Sequence, residues 1–451
     1  MQIDQKTLQV FLAAASKLDS GFANLPPHDL NAPGADRLAE VLNATAVRLH
    51  DNYPYFHPLY AGQMLKPPHP VARLAYALAM WINPNNHALD GGRATSAMEK
   101  EAVAEIAAMF GWIDFLGHLC GGGTMANLEA LWVAGQLQPK KKILASEQAH
   151  YTHHRISGVL HLEFESVPVD SRARMDIEGL KRRLARGDVG TVVATMGTTA
   201  TGSVDPLPEI LALRDRYGFR VHADAAYGGY FTLAQNLPAD TKAAFERITE
   251  ADSIVIDPHK HGLQPYGCGC VLFRDPAIGR LYKHDSPYTY FSSAELHLGE
   301  ISLECSRPGA AAAALWATQK LLPLKPGGEF AKSLERGRVA ALALYQKIQS
   351  SPAFVPAFPP ELDIVVFAPR ASSLAATSAL SRKIFAAAAE QDLHLALAEL
   401  PVTFFPELGS GVKDHETVTA LRSVLMKPEH LDWIDRIWEL IQKAAGEPLL
   451  R

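Results

Sequence analysis

Apolar residues recur along this chain in two rhythms. Near the start the spacing is helical. Leu8, Phe11, Leu12 and Ala15 share one face, and Leu38, Val41, Leu42 and Val47 repeat the pattern after a turn rich in Pro and Asn. Two amphipathic helices are predicted there. From Tyr53 to Pro70 the periodicity stops and Pro, His and Tyr dominate. Such a stretch is either packed near a site, because clustered aromatic surface is costly in water, or a plain surface connection.

From about residue 95 the rhythm changes to an alternation of strands and helices. Helical spacing runs over Thr95–Phe110, Thr124–Gln136, Asp176–Ala185, Pro206–Tyr217 and Pro308–Leu322. Between them lie short apolar runs: Lys142–Ser146, Phe164–Val169, Thr191–Met196, Arg220–Ala223, Ser253–Asp257 and Cys270–Arg274. The alternation predicts an α/β domain whose mostly parallel sheet is covered by helices. Pro323-Leu324-Lys325-Pro326-Gly327-Gly328 reads as a hinge. Helix (Glu329–Ser350), strand (Asp363–Phe367), helix (Ser378–Glu390) and strand (Val418–Met426) patterns follow, a small α+β domain. The expected organisation is an N-terminal helical segment (1–60), a large domain (61–325) and a small C-terminal domain (326–451).

Composition narrows the function classes. Of 451 residues, 48% are hydrophobic and 20% charged, which excludes disorder as the main state. A net charge of −5 argues against a dedicated nucleic-acid binder, which needs a concentrated basic face. Four cysteines are too few for a disulfide framework at this length, so a reducing compartment, the cytoplasm, is expected. No run is long and apolar enough to suggest a membrane span or a signal peptide. His150, His153 and His154 lack a second ligand cluster, and Cys268-Gly269-Cys270 is too short for a zinc knuckle, so no metal is expected.

Three motifs carry candidate chemistry. In Asp257-Pro258-His259-Lys260-His261-Gly262 a lysine follows an apolar strand. Held in a cleft it can serve as a nucleophilic amine; on a surface loop it is only a solvated charge. In Val221-His222-Ala223-Asp224-Ala225-Ala226 an acid ends a buried strand, where open sheets bind ligands. It can partner a cationic ring nitrogen or cap the next helix. Cys120-Gly121-Gly122-Gly123-Thr124 runs into a helix and can cradle a phosphate. Its spacing is neither Walker nor dinucleotide fingerprint. Together, a phosphate cradle, an acid for a ring nitrogen and a strand-end lysine match pyridoxal 5'-phosphate.

The chain resembles the group II pyridoxal-phosphate-dependent amino-acid decarboxylases, the family of aromatic amino-acid, tyrosine, glutamate, aspartate and cysteine-sulfinate decarboxylases. The resemblance rests on Gly122–Leu128, Ser146–Thr152, Met196–Pro206, His222–Gly229, Asp252–Cys270, Ser306-Arg307-Pro308-Gly309 and Ala420–Val424. It implies the aspartate aminotransferase fold (fold type I), with a mostly parallel seven-stranded sheet in the large domain. It also implies release of CO₂ from an L-amino acid to leave the amine, and a homodimer. Lys260 would carry the cofactor, His150 would stack on its ring and exchange protons, and Asp224 would pair with the ring nitrogen over Ala226. Gly123, Thr124 and His259 would serve the phosphate, and Thr199 would lie near the ring hydroxyl or Asp224. Arg422 would receive the substrate α-carboxylate, with His57 and Asn85 among the pocket residues near Tyr55, Tyr60, Trp81, Asn83 and His87. Asp257 stands where some relatives have Asn, and an anion there would repel a phosphate. After CO₂ leaves, Tyr288 or Tyr290, on the segment Lys283–Ser292, would protonate Cα. Two other reactions suit the same fold: a carbon–carbon lyase, which has no α-carboxylate for Arg422 to hold, and an oxidative aldehyde synthase, which differs mainly in that tyrosine. Aromatic and acidic substrates both remain open.

Overall fold

The computed structural model describes residues 4–26, 34–87, 89–283, 301–408 and 415–446. Tyr288 and Tyr290 lie outside them. Seven strands form the main sheet: β1 (Leu116–Cys120), β2 (Lys142–Ser146), β3 (Phe164–Val167), β4 (Val189–Thr195), β5 (Arg220–Asp224), β6 (Ser253–Ile256) and β7 (Gly269–Phe273). Their spatial order is β1-β7-β6-β5-β4-β2-β3. The run from β6 to β3 is parallel, and β7 is antiparallel to both of its neighbours. This is the mostly parallel sheet that the alternation predicts.

Every residue of β4, β6 and β7 is buried. That is why these strands read as continuous apolar runs rather than as alternations: helices cover both faces. β1 escapes the sequence pattern because Gly117 and His118 break its apolar run. Its pairing with β7 requires that glycine, since a Cβ there would sit 2.4 Å from Leu272. The helix Pro70–Met80 is a further element within the Tyr-rich region's flank.

Residues 329–446 build the second layer. The helix Glu329–Gln349 leads into β8 (Phe354–Pro356) and β9 (Ile364–Pro369), then a helix (Leu374–Ala389), β10 (Ala396–Pro401), β11 (Thr417–Val424) and a last helix (His430–Ala445). The strands pair antiparallel in the order β10-β11-β9-β8. β10 was not expected: its Ala and Pro residues carry little strand signal. The last helix also lies beyond the expected pattern, although its buried Ile434, Ile437, Leu440 and Ile441 recur at helical spacing.

Long-range contacts tie these parts together. The segment after Tyr53 pairs with the small sheet's surroundings: Ala61 N–H donates to His394 O (2.9 Å), and Val424 N–H donates to Ala61 O (2.7 Å). The Ser-Arg-Pro-Gly motif forms a seam within the large domain. The Arg307 guanidinium, buried beside Glu99 at 2.6 Å, also donates to the Leu119 carbonyl at the end of β1. It thereby ties the helix Gly309–Leu321 to the sheet.

The two N-terminal helices form as their spacing predicts, over Gln5–Ser20 and Ala35–Leu49. Asp4 caps the first by accepting from Thr7 N–H at 2.8 Å. Neither helix buries a residue. Leu12, Leu42 and Val47 stay more than half exposed. Among the described residues no helix is long and apolar enough to cross a membrane.

Candidate active site

A cavity of about 510 Å³ opens at the carboxyl ends of β4, β5 and β6. Three separate local structures point into it. The first is the turn Gly121-Gly122-Gly123, which ends β1 and starts the helix Gly123–Leu137. Gly122 has φ +142°, a conformation L side chains rarely adopt. A Cβ on Gly123 would stand 2.6 Å from Asp257 Oδ2, and one on Gly122 3.2 Å from His259 Cε1. So the glycines are needed for close packing as well as for the turn. No side chain caps this helix. Its first amides therefore have no partner within the helix, and with Thr124 they present on the cavity wall the kind of terminus that can bind an anion.

The second structure is the end of β5. Asp224 lines the cavity and is 5% exposed. Its Oδ1 accepts from Ala226 N–H (3.2 Å) and its Oδ2 from His153 Nε2 (2.7 Å). Burial alone would raise this carboxyl. The hydrogen bond from His153 and the nearby Lys260 hold it well below the usual carboxylate range instead. His222 is engaged on both ring nitrogens, with Ser253 Oγ and Asn127 Oδ1, each at 2.8 Å. Burial pushes His222 down to about 3, so it is neutral near pH 7.

The third structure is the turn after β6. Lys260 reaches the cavity with its side chain 21% exposed, and its Nζ stands 3.2 Å from Asp257 Oδ2. Asp257 is buried under the glycine turn, and its Oδ1 has no hydrogen-bond partner. His259 holds Cys268 O through Nδ1 (2.8 Å) and stacks on Tyr266, ring centroids 4.8 Å apart. Burial lowers the pKa of His259 and of His150. His150 Nδ1 faces Thr152, within hydrogen-bond reach of its N–H (3.3 Å) and its Oγ1.

The cavity thus gathers Gly123, Thr124, His150, Thr199, Asp224, Ala226, His259 and Lys260, all candidates from the sequence. It also contains Glu304, whose carboxylate accepts from Gly121 N–H at 2.9 Å, and Tyr227. Sequence reasoning missed both, and Glu304 stands only two residues before the Ser-Arg-Pro-Gly motif. Arg422, His57 and Asn85 are not among the described residues lining the cavity. His57 packs edge-on against Trp433 (4.9 Å). Asn85 is consumed by the Arg307 seam: its Nδ2 donates to Ser306 Oγ (3.0 Å), and its Oδ1 accepts from Arg307 N–H (3.0 Å). Arg422 donates to the carbonyls of Thr199 (2.6 Å), Ala200 (3.1 Å) and Gly62 (3.1 Å), and to Gln63 Oε1 (3.2 Å). It therefore braces the Thr199 rim from below.

Comparison with known proteins agrees with this geometry. The pyridoxal-dependent decarboxylase conserved domain matches residues 124–370, more than half of the chain. An L-tyrosine decarboxylase of Enterococcus faecium is 30% identical over 394 residues, 65% of this chain and 64% of that protein. The chain thus spans just under two thirds of that relative's length. A probable L-tyrosine/L-aspartate decarboxylase of Methanothermobacter thermautotrophicus is 29% identical over 262 residues, covering 57% of this chain and 70% of the relative. Among solved structures, Oryza sativa TDC with PLP and tryptamine superposes with a TM-score of 0.78 at 17% identity, over 100% of this chain and 99% of that one. Mouse CSAD in apo form gives 0.76 at 20% identity, over 96% and 98%. At these identities the structures establish the shared fold alone. The residues present fit pyridoxal phosphate. On the glycine turn a Cβ would crowd the cavity-lining Asp257 and His259, and the Asp224 carboxylate and the Lys260 amine line the same cavity.

Proposed function

The chain belongs to the pyridoxal-dependent decarboxylase family, with pyridoxal 5'-phosphate as cofactor, and on that premise we propose that it removes the α-carboxylate of an L-amino acid as CO₂. One observation carries the proposal: an anion cradle, an ionised Asp224 and the Lys260 amine converge on one cavity. Relatives named as tyrosine and tyrosine/aspartate decarboxylases support it. When bound, the cofactor supplies an aldehyde for an amine and a cationic ring that draws electrons from the bond being broken.

The protein's own part is binding, orientation and proton placement. The helix terminus at Gly123 and Thr124 would hold the phosphate, with His259 lining the same cavity. Asp224 would partner the ring nitrogen and favour its protonated form, because a nearby anion stabilises a cation. Ala226 is small enough to let a flat ring lie against it, and His150, on the same cavity wall, would cover that ring. Asp257, paired with Lys260, also lines the cavity, where a carboxylate would not itself bind the phosphate. It holds the ammonium of Lys260 whenever that amine is free.

Arg422 is the receiver of the substrate carboxylate. A guanidinium has five N–H donors, and four go to the acceptors given above. The acceptor from a side chain is the exposed Gln63 Oε1, which a carboxylate can displace while the backbone carbonyls keep the fork aligned. The bond to be broken must stand perpendicular to the ring, so this grip decides which bond breaks. Tyr288 or Tyr290 then delivers the proton to Cα, with His150 as the competing donor.

The open apolar faces of the N-terminal helices support a homodimer, in which a second copy covers them. Four free cysteines support a cytoplasmic location. A screen of the twenty amino acids and cysteine sulfinate for CO₂ and amine tests the activity. Amine from one substrate class supports it, and no CO₂ from any of them contradicts it. Sedimentation at micromolar concentration tests the dimer, which an active monomer would refute.

A further inference from the structure

His153 follows His150 by three residues and sits on the first turn of the helix Thr152–Val159. It is fully buried. Its Nε2 stands 2.7 Å from Asp224 Oδ2. An ionised carboxylate can only accept, so the proton of that bond lies on Nε2. The other ring nitrogen, Nδ1, is buried without a hydrogen-bond partner. A buried polar atom left unpaired is costly. The imidazole therefore makes one polar contact here, and that contact is with Asp224. The neighbouring His222 cannot substitute, because Ser253 and Asn127 occupy both of its nitrogens.

A donor on the far oxygen has two consequences. It fixes the plane of the carboxylate, so that Oδ1 stays beside Ala226 N–H at the cavity floor. It also makes the carboxylate a weaker base, so a proton shared with a ring nitrogen resides on the ring. We propose that His153 is a positioning residue whose Nε2–H···Oδ2 bond locks Asp224 as an anion aimed at the ring nitrogen of pyridoxal phosphate. This inference rests on the cofactor reading above.

The test uses the full-length protein loaded with pyridoxal phosphate carrying ¹⁵N in the ring. Nuclear magnetic resonance reports whether that nitrogen is protonated, and equilibrium dialysis reports the cofactor Kd. His153→Leu removes the donor, and His153→Gln keeps an N–H. In His153→Leu the ring nitrogen is expected to move toward its unprotonated shift and Kd to rise about ten- to a hundredfold, the worth of a charge-assisted hydrogen bond. His153→Gln should retain most of both. Parental shift and Kd in His153→Leu would overturn the inference, since a packing role needs no donor. In the parent, ¹⁵N-histidine labelling should show His153 protonated on Nε2, with a resonance that moves on cofactor uptake. Protonation on Nδ1 alone would overturn the inference even if His153→Leu fails to fold. A folded parent that takes up no pyridoxal phosphate would instead refute the cofactor reading.

Discussion

Lys260 and Arg422 are two enclosed cations that meet their surroundings in opposite ways. The Lys260 side chain keeps 21% of its surface exposed in the cavity and has one carboxylate, Asp257, as its ion-pair partner. Arg422 is 4% exposed and spreads four hydrogen bonds over neutral acceptors in two chain segments. The difference teaches that burial alone does not mark a reacting group. Lys260 can exchange its partner for a ligand without breaking the fold. Arg422 can offer a ligand only what the Thr199 rim and the Gly62 turn leave over.

Lys260→Ala presses the comparison hardest. Turnover should fall by several orders of magnitude, measured as CO₂ release, while thermal stability stays near that of the parent. A large stability loss would make Lys260 a structural cation like Arg422. Next in size are Tyr288→Phe and Tyr290→Phe. One of them should lose amine and gain aldehyde and hydrogen peroxide in the presence of dioxygen, while still releasing CO₂. If both make amine at the parental rate, His150 takes the role of proton donor.

Arg422→Leu, unlike Lys260→Ala, should lose stability as well as activity. Three backbone carbonyls lose their donor, at roughly 1–3 kcal/mol each, so the melting temperature should drop clearly. Arg422→Lys keeps the charge without the fork and should raise KM more than it lowers kcat. A melting temperature unchanged in Arg422→Leu would remove the bracing role.

The smallest effect sharpens the seam beneath both cations. Tyr227, on the cavity wall, donates to the buried Asp363 at 2.5 Å, and burial pushes Asp363 up from 3.8 to about 6. Between those values the folded state keeps a proton that the unfolded state has lost. Asp363 therefore makes stability fall as pH rises from about 4 to about 6, with no further change above. Relative to Asp363→Asn, the parent should lose on the order of 3 kcal/mol across that window. Denaturant titrations at several pH values would check this, and a constant difference would contradict it.

The cavity-lining end of this comparison was legible in the sequence because its signals are local. Asp224 and Lys260 each end an apolar run, and Gly122 and Gly123 each precede a helical one. What is written between distant residues was not legible. His153 meets Asp224 across 71 positions, and Arg422 meets Gly62 across 360. His153 therefore weighed only as a metal candidate, and the bracing by Arg422 had no signal. His57 and Asn85 show the same limit from the other side. Their residue types suit a pocket, but Trp433 and the Arg307 seam set what they touch. The short strands β1 and β10 form because neighbours hold them, despite the glycine in one and the proline in the other.

The central claim is that Lys260 carries the cofactor in this cavity. Reduction of the loaded enzyme with borohydride, followed by peptide mass mapping, tests it most directly. The account predicts a pyridoxyl-phosphate adduct on Lys260 alone, absent from Lys260→Ala. An adduct that persists in Lys260→Ala, or that maps to another lysine in the parent, would contradict it.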